Sequence, residues 1–147
     1  MPPEPEEMTM KKTAVLAMAV VLALGLGTSP LWATNVSEKV KQSTEKAAKD
    51  YVKHGLIQAT ENRHESAVKS FQSAISLMPN LAEAYSYMGS SLAEMGRYKE
   101  AEEALRKAVA IKPNYGEGYY YLGLFLKERG RAGEAEDAFR KAKQYEK

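Results

Sequence analysis

The sequence predicts an all-α, right-handed solenoid of three helix–turn–helix units. Three observations carry that expectation. Residues 48–147 repeat with a step of 34, apolar residues within each unit recur at three- and four-residue spacing, and Gly and Pro punctuate the units in register. A single helix pair cannot bury its apolar stripe alone, so stacking against neighbours supplies the core.

Ahead of the repeats, Met1 to Met10 is acidic and Pro-rich. Lys11 and Lys12 come next, then an unbroken apolar or Gly run from Ala14 to Leu26, the break Gly27-Thr28-Ser29-Pro30, and Leu31-Trp32-Ala33 before polar sequence. A basic start, a short apolar stretch and a small residue before a polar switch read as a secretory signal peptide over 1–33, cut after Ala33. The apolar run has 13 residues, short of the roughly 20 that span a bilayer. Met10-Lys11-Lys12 is the more conventional start, so Met8 or Met10 is a candidate initiator. The alternative is an uncleaved membrane anchor over 13–32. The expected location is periplasmic or secreted.

Composition narrows the function. Lys and Arg number 21 against 19 Asp and Glu, and removing 1–33 leaves a net charge of +3, too balanced for a nucleic-acid binder. There is no Cys, which excludes disulfides, thiol catalysis and cysteine-ligated metals. The two histidines, His54 and His64, stand ten residues apart on different helices, and His54 falls where helices pack. No nucleophile motif, phosphate loop or metal-ligand spacing occurs in 34–147, so neither enzyme activity nor a cofactor is expected.

Residues 34–47, which come first after the leader, are polar, but Val36, Val40, Ser43 and Ala47 share one helical face, which predicts a helical lead-in. The units are 48–81, 82–115 and 116–147. Their first halves read Tyr51-x-x-His54-Gly55, Tyr85-x-x-Met88-Gly89 and Tyr119-x-x-Leu122-Gly123. Their second halves read Ala67-x-x-x-Phe71-x-x-Ala74, Ala101-x-x-x-Leu105-x-x-Ala108 and Ala135-x-x-x-Phe139-x-x-Ala142. Gly96 and Gly130 supply turns, where Asn62 stands in the first unit, and Pro79 and Pro113 stop the second helices. Gly89 and Gly123 fall inside first helices, at a cost of about 1 kcal/mol each, and are expected to admit a partner helix closely. The runs Glu100-Ala-Glu102-Glu103 and Glu134-Ala-Glu136-Asp137 open second helices, where acids favour the helix dipole and face solvent.

This pattern resembles the tetratricopeptide repeat family, and the likeness covers essentially all of 48–147. The first unit departs most, with His54, Gln58 and Asn62 at positions where the family carries apolar residues and Gly. The resemblance implies a non-catalytic interaction module whose concave groove, lined by first-helix residues, holds a peptide or helix of another protein. The groove positions are Lys49, Val52, Lys53, Leu56, Ala59 and Thr60; Glu83, Ser86, Tyr87, Ser90, Ala93 and Glu94; Glu117, Tyr120, Tyr121, Leu124, Lys127 and Glu128. Tyr87, Tyr120 and Tyr121 are the expected anchors, since a ring with a polar tip contributes much contact area for few rotamers. Members that grip the C-terminal carboxylate of heat-shock chaperones use a Lys/Asn clamp, and the matching positions here are Val52, Leu56, Tyr87, Glu117 and Tyr121. None carries a cation or an amide, so that mode is not expected. A second expectation is a self-associating or anchored structural subunit of an envelope complex, because Phe139, Ala142 and Tyr145 leave an apolar stripe on the final helix. The partner's identity is not readable from the sequence.

Overall fold

The computed structural model describes residues 31–146. Residues 39–147 form one compact unit, which holds the repeats. The expected signal segment lies, up to Pro30, outside the described residues. Among the described residues no helix is long and apolar enough to cross a membrane.

All regular structure among the described residues is helical. The elements are α1 (Leu31–Thr60), α2 (His64–Leu77), α3 (Ala82–Glu94), α4 (Tyr98–Ile111), α5 (Gly116–Glu128) and α6 (Ala132–Tyr145). Residues 34–47 are the N-terminal part of the single helix α1. The starts of α2, α4 and α6 recur at the 34-residue step of the sequence, as do those of α3 and α5. Gly55 of α1 lies against Phe71 of α2, and from α2 onward each helix packs on the next. First helix α3 also packs on first helix α5, so the pairs stack as successive layers.

Three turns are built alike. Asn62, Gly96 and Gly130 take φ of 60, 73 and 74°, the left-handed region that ends a helix. In each, the left-handed residue donates its N–H three residues back and the next residue donates five back: Gly96 to Ala93 and Arg97 to Leu92, Gly130 to Lys127 and Arg131 to Leu126, Asn62 to Ala59 and Arg63 to Gln58. Asn tolerates this conformation better than other non-Gly residues, so the first unit keeps the turn without its glycine.

The core is the seam inside and between pairs. Val68, Leu92, Leu105, Leu122, Phe125 and Leu126 are buried in one cluster with Ala101, Ala104, Ala135 and Ala138. The helix glycines set the spacing within a pair. A Cβ on Gly55 would stand 2.6 Å from the Phe71 ring, one on Gly89 2.7 Å from Leu105, and one on Gly123 2.7 Å from Phe139. The large second-helix residue fills the space each glycine leaves, with the Ala101 carbonyl oxygen also near Gly89.

The first pair replaces part of this apolar seam by polar groups. Gln58 and Ser70 are buried where the later pairs carry Leu92 with Ala104 and Leu126 with Ala138. Ser70 Oγ donates to Gln58 Oε1 at 2.7 Å, which satisfies the hydroxyl that burial would otherwise leave unpaired. His54 is exposed at the edge of this pair, its Nδ1 3.3 Å from Ser70 Oγ.

Gly123→Ala should therefore destabilise the chain by about 1–3 kcal/mol, the usual cost of overpacking a seam. Gly133→Ala on α6, where a Cβ meets nothing within 4 Å, should be neutral or slightly stabilising. Urea unfolding followed by circular dichroism compares the two, and equal midpoints would remove the glycines' role in spacing.

Candidate functional site

The first helices α3 and α5 bring together the residues of greatest chemical interest. Tyr87 on α3 and Tyr121 on α5 meet edge to face, ring centroids 5.7 Å apart. Tyr87 also lies 6.0 Å from Phe71 of α2, and Tyr121 lies 6.0 Å from Tyr120, which reaches Phe139 of α6 at 5.9 Å. Five rings thus run in contact from the first pair to the third.

Glu117, at the start of α5, stands beside this row. Tyr87 Oη donates to its Oε1 at 3.0 Å, and Tyr115 Oη donates to its Oε2 at 3.2 Å. Two neutral phenols thus hold one exposed carboxylate, and its charge stays unneutralised. Burial and then the Glu117 charge push Tyr87 up to about 12. The same two causes raise Tyr121, while Tyr115 is raised by burial first and by the charges around it after. Lys112 sits at the edge of the group, its Nζ 3.5 Å from Glu83 Oε1 and 5.1 Å from the centre of the Tyr115 ring.

Of the eighteen groove positions, all but Ser86 are exposed or half-buried. Lys49, Lys53, Glu94, Glu117, Tyr120 and Lys127 are exposed, and Val52, Leu56, Tyr87, Ser90, Tyr121 and Leu124 are half-buried. Lys49 pairs with Glu45 within α1 at 2.7 Å. Ser86 behaves differently: it is 0% exposed, and its Oγ has no hydrogen-bond partner among the described residues. Ser86 and Tyr120 occupy the same position of successive first helices, yet Tyr120 is 49% exposed. Tyr120 belongs instead to the mouth of a cavity of about 690 Å³ beside α6, with Phe139, Ala142 and Tyr145.

A further cluster lies on the second helices. Glu102 of α4 accepts from Arg131 at 2.7 Å and from Arg106 at 2.8 Å, and Arg106 and Arg131 both reach Glu134 of α6, at 3.2 and 2.7 Å. The hydrogen bond from Arg131 holds Glu102 below the usual carboxylate range, and Glu134 likewise. The acidic runs are thus more than a solvated face, because Glu102 and Glu134 within them tie one pair to the next. The in-register Arg97 and Arg131 were the available signal, since each stands three residues before a Glu. Among the described residues no group of three or more His, Asp or Glu is placed to hold a metal.

The phenol–carboxylate contacts make a pH prediction. A phenol with a raised pKa adds stability in full below the unfolded value of 10.0, and loses it as pH climbs through the folded value. Absorbance at 295 nm should show Tyr87 ionising near pH 12, with stability falling between pH 10 and 12. Glu117→Gln should lower that midpoint but not restore it to 10.0, since burial is the larger cause. An unchanged midpoint would detach Glu117 from Tyr87.

Comparison with known proteins supports the repeat assignment. Tetratricopeptide repeat models match residues 48–81 and 82–115. No curated protein sequence matches. Among solved structures the chain is similar to MamA, at 30% identity and a TM-score of 0.60, over 69% of this chain and 59% of that one, so it spans less than two thirds of MamA. The second tetratricopeptide domain of Spaghetti (RPAP3), bound to the HSP90 peptide SRMEEVD, matches with a TM-score of 0.65 at 18% identity, over 74% of this chain and 99% of that one. The Arabidopsis OM64 tetratricopeptide domain matches with a TM-score of 0.64 at 23% identity, over 70% and 85%. Residues 48–115 are a tandem of tetratricopeptide repeats, and the pair α5–α6 continues their packing into a three-layered all-α solenoid.

Proposed function

We propose that the chain is a non-catalytic protein-interaction module that holds a peptide or helix of a partner along its first-helix face. The observation that carries this reading is the row Tyr87–Tyr121–Tyr120 beside Glu117, where Tyr120 is exposed and Tyr87 and Tyr121 are half-buried. Such rings concentrate binding energy because they add area with little rotamer loss. The likeness to a Spaghetti domain carrying a bound peptide supports the same use of the fold.

We also propose export, resting on the basic start, apolar run and Ala33 switch of residues 11–33. One preparation tests both readings. Full-length protein expressed with its N-terminal segment should be recovered with Thr34 at its N-terminus, and retention of residues 14–26 in the membrane fraction would convert the segment to an anchor. Replacing Tyr87, Tyr120 and Tyr121 together by Ser should cut partner retention in pull-downs at least about tenfold, with the helical signal kept at 25 °C. Loss of that signal would assign the rings to the core.

Self-association is the second reading, favoured by the cavity at Tyr120, Phe139 and Tyr145. Sedimentation over a concentration series should show a rising average mass, and a monomer persisting at high concentration would leave that end uninvolved.

A further inference from the structure

We infer that the α3–α5 face selects a basic segment, taking Lys or Arg side chains against Glu117 and the open tyrosine rings. The inference rests on the interaction-module reading and specifies its partner's charge.

Glu117 is held but not neutralised. Its two oxygens accept one phenol each, and a carboxylate oxygen has lone pairs to spare for a second donor. The phenols orient the group without cancelling its charge, and no cation pairs with it among the described residues. After burial, the Glu117 charge is the next cause that holds Tyr87 and Tyr121 away from ionisation. A guanidinium or ammonium arriving here meets a fixed acceptor, and a hydrogen bond to a charged group is stronger than one between neutral groups.

The balance of charge along the face points the same way. With Glu83 paired to Lys112, the α3 and α5 groove positions still contribute Glu94, Glu117 and Glu128 against Lys127. The first-pair positions carry Lys49 and Lys53, so the acidic character belongs to the second and third layers. A segment with carboxylates would bring like charge onto Glu117, whereas a basic one complements it.

The fold also contains a precedent of its own. Lys112 already places its ammonium between the Glu83 carboxylate and the face of the Tyr115 ring, 3.5 Å from the one and 5.1 Å from the centre of the other. A carboxylate next to a tyrosine face therefore accommodates a cation in this fold. Glu117 next to Tyr121 and Tyr120 repeats that pairing on the open side, where cation–π attraction adds to the ion pair.

Two synthetic peptides on one frame test the inference against the full chain by fluorescence anisotropy. They are SRMEEVD with a free C-terminus and SRMKKVR with an amidated one. The basic peptide should bind at least about tenfold tighter, a difference of about 1.4 kcal/mol, and should weaken several-fold when salt rises from about 50 to about 300 mM. Glu117→Gln keeps an oxygen for the phenols and removes the charge, so it should cost the basic peptide about tenfold, while Glu136→Gln, which removes an exposed charge from second helix α6, should leave it unchanged. Equal or tighter binding of SRMEEVD overturns the inference and leaves the module reading standing. So does an unaltered affinity in Glu117→Gln. Binding of neither peptide also overturns it, and the module reading is then decided separately by the triple tyrosine variant in pull-downs.

Discussion

The spacing between the two helices of a pair governs everything built on them. It is fixed where Gly55, Gly89 and Gly123 lie against Phe71, Leu105 and Phe139, with no room for even one added carbon. A large residue on one helix and none on the other closes a helix pair densely, and dense interiors tolerate little change of volume. Because the contact recurs every 34 residues, successive layers stack in one register and their first helices line up side by side. That alignment is what lets Tyr87 of one layer touch Tyr121 of the next and reach Glu117 with its hydroxyl.

The stacking has a second fastening on the other set of helices. The quartet Glu102, Arg106, Arg131 and Glu134 crosses from α4 to α6, and Arg129 lays its guanidinium 4.0 Å over the Tyr98 ring. Exposed ion pairs contribute little singly, but a bidentate Arg shared between two carboxylates restricts the angle at which two layers meet. The first pair has no equivalent, since Val68 and Gln72 stand where Glu102 and Arg106 do. Inside the pair, the buried Ser70–Gln58 bond replaces part of the apolar seam by a directional contact.

The period, the turns and the stopping prolines were legible because each depends on residues close in sequence. Gly96 and Gly130 announce left-handed turns directly, and Asn62 takes the same conformation in the place the register reserved for it. The face was legible only in part, since its fine structure depends on what the neighbouring layer covers. Ser86 and Tyr120 are equivalent by position, yet one is sealed and the other is open beside Phe139. The role of Glu117 was hidden for the same reason: its two phenols come from α3 and from the loop before α5, and no spacing rule links 87, 115 and 117. The acidic runs looked solvated because the arginine that joins Glu102 to the next layer lies nearly a whole repeat away in sequence.

The seam and the first-helix face thus have separate duties. Side chains that close the layers point along the seam, where a methyl group too many is felt at once. The exposed charged residues of the first-helix face, such as Glu94, Glu117 and Lys127, lie outside that seam, so their charge is free to vary without disturbing the stack. Val52, Leu56 and Tyr87 leave the face without cations at the places a carboxylate clamp would need them, and Glu117 goes further by putting an anion there. Its two phenols matter more than its charge alone, because an exposed glutamate on a helix is mobile and screened, whereas one held at both oxygens presents a fixed acceptor. Selectivity for charge on this face thus follows from the row of rings that the glycine-set helix spacing brings together.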